Sequence, residues 1–107
     1  MSLVPKHIEL AGIGVDVVVE KYLYEKEKVV GLARYPRQQI ALDPTILTQG
    51  LAEHNYFHEL THWILYIMNE DDLRNNEKFV DCFAFLLHQA QKSSKDFYSP
   101  EELCNHL

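Results

Sequence analysis

The sequence predicts an α+β domain in which a small antiparallel or mixed sheet packs on two antiparallel helices. Three observations carry this. Up to about Asp43 the chain is rich in β-branched residues that alternate with polar ones. From about Thr48 the apolar residues recur at spacings of three and four, the period of a helix. A polar break, Asn69-Glu70-Asp71-Asp72, then divides the helical part in two. The 107 residues make one domain and leave no room for a second, with a core expected over residues 5–92.

Each element has a local reason. Ile8 and Leu10 alternate with His7 and Glu9, and Val15, Val17 and Val19 alternate with Asp16 and Glu20. Gly12-Ile13-Gly14 reads as the turn that joins these runs into a hairpin. Glu25-Lys26-Glu27-Lys28 reads as a solvated loop. Val29 to Arg34 and Gln38 to Leu42 flank Tyr35-Pro36-Arg37. Proline cannot donate to a central ladder, so it marks the turn of a second hairpin. Asp43-Pro44 closes the sheet region, with Asp able to cap and Pro suited to a first helical turn. On the first helix Phe57, Leu60, Thr61, Ile64, Ile67 and Met68 share a face. The second is expected from about Leu73 to Lys92. Phe79, Val80, Phe83, Phe85, Leu86, Leu87 and Ala90 make it apolar over most of its circumference, which predicts burial. Ser99-Pro100-Glu101-Glu102 has the form of a capping box that opens a last, short helix.

Composition excludes several classes. Ten Lys and Arg against sixteen Asp and Glu give a net charge of -6, so nucleic acid is disfavoured as the main partner. No apolar run reaches the length of a membrane helix, and the amino terminus lacks a signal-peptide core. A reducing cytoplasm is therefore the expected compartment. Cys82 and Cys104 form no Cys-x-x-Cys pair, which excludes a zinc ribbon or thioredoxin-type site. Cys82 lies in an apolar stretch and is expected as a buried thiol. Six histidines are many for this length, and they cluster.

The cluster contains His58-Glu59-Leu60-Thr61-His62, an H-E-x-x-H motif. Residues four apart on a helix share a face, so the two imidazoles can bind one metal ion. Zinc suits these ligands and lowers the pKa of a bound water toward about 7. Glu59, about 100° round the helix, can take that water's proton and pass it to a leaving amine. A short pattern also arises by chance in a chain rich in His and Glu. Its place inside an amphipathic helix, with both histidines off the apolar face, favours the functional reading.

A catalytic zinc needs a third protein ligand, and geometry selects Glu77. The first helix continues roughly 9 Å past His62 at 1.5 Å per residue. A second helix running back antiparallel then brings Glu77 level with His62, while residues 69–72 lie at the turn itself. Glu77 and Asp81 are four apart and share one face. Asp81 is then placed to accept a hydrogen bond from the other ring nitrogen of a ligand histidine.

This series, H-E-x-x-H followed by Glu77-Lys78-Phe79-Val80-Asp81, resembles the gluzincin pattern of thermolysin-like zinc peptidases. The whole chain, over about residues 5–92, is similar to small phage- and prophage-encoded metallopeptidases and to the peptidase domain of the ImmA/IrrE group. The resemblance implies a zincin-like fold and a zinc-dependent peptidase acting on a peptide or protein substrate. It assigns His58, His62 and Glu77 to zinc, Glu59 to general-base catalysis and Asp81 to orienting a histidine. It also implies that an edge strand beside the active helix, here Gln38 to Leu42, binds peptide by strand addition. A phage origin would put the protein in the host cytoplasm.

Two further residues are candidates for substrate or oxyanion contacts: His54, one turn before His58, and Tyr66, one turn after His62. Otherwise His54 is simply exposed and Tyr66 a partly buried ring. His88 shares the Glu77–Asp81 stripe but lies too far along to join Glu77 on one ion. Trp63 is expected in the core or against the hairpins. Tyr35-Pro36-Arg37 can rim a cleft, although a turn needs no further reason. No second lobe and no oxyanion donor are evident, so a partner chain is a candidate to complete the cleft. The alternative reading is a non-proteolytic zinc-binding phage regulatory or assembly module. A third, a metal-free helical interaction protein, makes the whole motif a coincidence.

Overall fold

The computed structural model describes residues 2–45 and 48–105. Strand β1 (His7–Leu10) pairs antiparallel with β2 (Ile13–Val19), and β3 (Gly31–Arg34) pairs antiparallel with β4 (Gln39–Leu42). The hairpins join through β2 and β4, which run parallel, so the sheet is mixed with order β1-β2-β4-β3. With five helices among the described residues, the fold class is α+β.

The first turn is Ala11-Gly12, a residue or two earlier than the sequence suggests. Both adopt positive φ, 51° and 80°, as a two-residue hairpin turn requires. Ile13 and Gly14 already belong to β2. The second turn holds Pro36 as expected and closes with a bond from the Gln38 N–H to the Tyr35 carbonyl, 3.1 Å.

The segment expected as a solvated loop contains a short helix, α1 (Leu23–Glu27). Leu23 is fully buried, and its one apolar anchor outweighs the charged run that follows. Asp43 completes that helix. Its buried carboxylate accepts from the Tyr24 N–H in the first turn of α1 and from the Thr45 N–H and hydroxyl. These bonds, the Thr45 hydroxyl first, hold the Asp43 carboxyl below its ordinary value. Asp43 therefore caps the element before it in the chain, not the helix after it.

Helix α2 (Gln49–Ile67) starts at Thr48, whose hydroxyl accepts from the Leu51 N–H. The short helix α3 (Asp71–Arg74) occupies the polar break. Helix α4 (Glu77–Ser93) begins later than Leu73 because the Asn76 side chain caps it, accepting from the Phe79 N–H at 3.1 Å. Contacts between α2 and α4 run antiparallel: Glu53 meets His88 and Lys92, and His62 meets Glu77. Helix α5 (Pro100–Asn105) opens with the expected box, in which Ser99 and Glu102 exchange bonds of 3.0 and 3.1 Å. No helix of the described residues is long and apolar enough to cross a membrane.

Helix α2 lies between the sheet and α4. Trp63 faces the sheet and donates its indole N–H to the Gln39 carbonyl, 3.0 Å. It joins Val15, Ile40, Leu42, Tyr56, Phe57 and Ala84 in the core. Burial of α4 is much less than expected. Val80 and Ala84 are buried, but Phe83, Phe85, Leu86 and Cys82 are exposed. This helix meets α2 along one face and turns its other apolar face outward.

Glu53 ties three segments together. Its fully buried carboxylate accepts from His88 Nε2 and Lys92 Nζ, each at 3.0 Å, and from the Leu3 N–H at 3.1 Å. The His88 bond, followed by the Lys92 and Leu3 bonds, outweighs burial and holds the carboxyl down to about 2. A lowered folded-state value contributes stability above the unfolded value of 4.5, lost as pH falls toward 2. Urea unfolding between pH 6 and 3 is therefore expected to show a steeper loss of stability in the wild type than in Glu53→Gln.

Candidate metal centre

The motif sits in the middle of α2, and its side chains divide between two neighbours. His54, His58 and His62 face α4, while Glu59 faces the sheet. His58 Nε2 lies 3.1 Å from Glu77 Oε2, and His62 Nε2 lies 3.1 Å from Glu77 Oε1. One carboxylate thus bridges two imidazoles, which both turn their Nε2 atoms toward it. His58, His62 and Glu77 are the one group of three or more metal-binding side chains among the described residues with ligand atoms all within 4.8 Å. Two ligands about 2.0–2.1 Å from a tetrahedral ion sit roughly 3.3 Å apart, close to each of the two His–Glu77 distances.

Asp81 stands one turn along α4. Its Oδ1 lies 3.2 Å from His58 Nδ1 and 3.1 Å from His54 Nε2. A proton on His58 Nδ1 shared with Asp81 leaves Nε2 as a lone pair aimed at Glu77. Burial lowers the pKa of His62 from its ordinary value, which favours the neutral imidazole that a metal requires. The arrangement of one carboxylate and two ring nitrogens could hold a metal ion.

Glu59 is 7% exposed. Burial pushes its carboxyl up to about 7, near the range that suits a base working at neutral pH. Strand β3 passes very close to it. A Cβ added at Gly31 would stand 3.1 Å from Glu59 Oε2 and 3.4 Å from its Cγ, so glycine permits the approach. The Ala33 N–H also faces this carboxylate and favours its charged form.

A cleft of about 160 Å³ opens beside these groups, lined by Ala33, Tyr35, Glu59, His62, Arg74 and Asn75 among others. The sheet edge beside Glu59 is therefore β3, not the segment 38–42. That segment forms β4, which pairs on both sides and has no free edge. Tyr66 does not line the cleft. It stacks on Tyr35 with ring centroids 4.1 Å apart. His54 is held on Asp81, and His88 belongs to the Glu53 cluster.

Sequence reasoning passed over Gly31, Ala33, Arg74 and Asn75. Arg74 had one signal, as the basic residue just after the acidic and polar break at 69–72. Comparison of the chain with protein-family models, with curated proteins and with solved structures finds no match.

Proposed function

We propose that this chain is a zinc-dependent peptidase with a zincin-like fold. The observation that carries the reading is the convergence of His58, His62 and Glu77 beside a buried Glu59 at the edge strand β3. Two imidazole nitrogens and a carboxylate oxygen are the donor set of a catalytic zinc site. When bound, zinc supplies the Lewis acidity that makes a water nucleophilic at neutral pH and polarises a carbonyl.

The chain's own residues do the rest. A peptide laid along the open edge of β3 brings a scissile carbonyl to the cleft beside Glu59 and His62. Glu59 accepts a proton as the water oxygen bonds to the carbonyl carbon. It returns that proton to the amide nitrogen as the carbon–nitrogen bond breaks, giving a carboxylic acid and an amine, which ionise to a carboxylate and an ammonium. Asp81 fixes the tautomer and ring angle of His58. A non-proteolytic zinc module is the competing reading, but it gives Glu59 no role.

Untagged protein titrated with zinc is expected to bind about one ion per chain. His58→Ala is expected to abolish this, and Asp81→Asn to weaken it about 10–100-fold. Metal analysis after dialysis and competition with a chromophoric chelator measure both. A wild-type protein that binds no zinc sinks the proposal.

A further inference from the structure

The cleft carries a cation that the hydrolytic chemistry above does not use. Arg74 lines it together with Glu59 and His62. Its guanidinium is set by its surroundings: the carbon lies 5.4 Å from the Tyr35 ring centre and 5.7 Å from that of Tyr66. Asp71 takes one edge, with Nη2 at 3.2 Å. Nε is buried and has no hydrogen-bond partner, while the Tyr35 side chain holds the guanidinium by a hydrogen bond as well as by its ring, so bonding and packing together orient the fork. About a quarter of the side chain is exposed. Among the described residues Arg74 forms its one ion pair with the exposed Asp71, and none with Glu59 or Glu77. A fixed guanidinium with an open face, beside a hydrolytic site in an acidic chain, is suited to a planar anion.

We propose that Arg74 binds a carboxylate of the peptide substrate and so selects peptides that carry one next to the scissile bond. This rests on the peptidase reading and names its substrate class. The carboxylate comes from the carboxyl terminus or from an Asp or Glu side chain, and both present the same planar pair of oxygens. The small cleft puts that group within reach of the atoms that would react.

The test measures binding, not cleavage, on Glu59→Gln protein stripped of metal, so that coordination to an ion cannot imitate recognition by Arg74. Three probes are titrated by nuclear magnetic resonance: acetyl-trialanine, its carboxyl-terminal amide, and the amide of acetyl-Ala-Asp-Ala. At least one carboxylate-bearing probe is expected to bind about 10-fold or more tightly than the uncharged amide. Preference for the free acid assigns the terminus, and preference for the Asp peptide assigns the side chain. Replacing Arg74 by Gln is expected to reduce the preference to less than about 2-fold. Because that substitution also disturbs packing on Tyr35, Asp71→Asn provides a second arm. Freeing the occupied edge is expected to strengthen the preference. Equal binding of all probes, no binding at millimolar concentration, or a preference that survives Arg74→Gln overturns the proposal. So does an Asp71→Asn protein with unchanged or weaker preference. Failure of the chain to bind zinc would sink the peptidase reading and leave these outcomes intact.

Discussion

Glu59→Gln is expected to lower peptide hydrolysis by about 10²–10⁴-fold while the zinc content stays at the wild-type level. Gln keeps the size of the side chain and removes its ability to accept and return a proton. The carboxyl is nine-tenths buried, and β3 approaches it through Gly31 with no room to spare. An amide therefore occupies the same space without disturbing His58 or His62, which project toward α4 instead. Buried where burial already pushes its carboxyl up to about 7, Glu59 loses little when made neutral. Melting temperature is expected to change little or to rise. Hydrolysis assayed on a mixed peptide library, with zinc measured on the same samples, separates the catalytic role from a structural one. A variant that keeps its activity would remove Glu59 from the mechanism.

Trp63→Ala is expected to destabilise the domain by about 3–5 kcal/mol, enough to lower its melting temperature by roughly 15–25 °C. Trp63 is 1% exposed, the largest of the fully buried side chains. It packs edge-on against Tyr35 with centroids 5.0 Å apart and bonds to the Gln39 carbonyl. Its loss leaves a cavity between α2 and the sheet and an unpaired carbonyl on β4. Trp63→Phe keeps most of the volume and is expected to cost about 1–2 kcal/mol. Urea unfolding of both variants measures this. Because Tyr35 lines the cleft and supports Arg74, the Ala variant is also expected to bind substrate more weakly than its residual folded fraction explains.

Those parts of the molecule governed by local periodicity were legible before the structure. The helical spacing of His58 and His62, with a rise of 1.5 Å per residue and an antiparallel return, was enough to bring Glu77 level with His62. The box at Ser99 and the proline turn at Pro36 are likewise short-range devices. What escaped depends on distant partners. Asp43 looked like a cap for the following helix, because nothing local reveals that Tyr24 would take its carboxylate. Apolar residues round most of α4 say that the helix is sticky, not that a third layer exists to cover it. The misplacement of Cys82 follows from the same inference. The true start of α4 is written in Asn76 ahead of Glu77, a capping signal that outweighs the apolar residue at Leu73. Arg74 could be placed in the cleft only by its packing on Tyr35 and Tyr66.

The division of the three candidate ligands between α2 and α4 has a consequence for the resilience of the chain. His62 sits at the heart of a long helix, whereas Glu77 is the first residue of another and its side chain is two-thirds exposed. Joining them through one ion closes a loop of about 15 residues, the span that a disulfide of that size would constrain at about 3 kcal/mol. Such a clasp needs no oxidising environment and can be opened by a chelator. It would make the hairpin of α2 and α4 a reversible fastening, with the protein's resistance to unfolding and proteolysis tracking the free zinc around it.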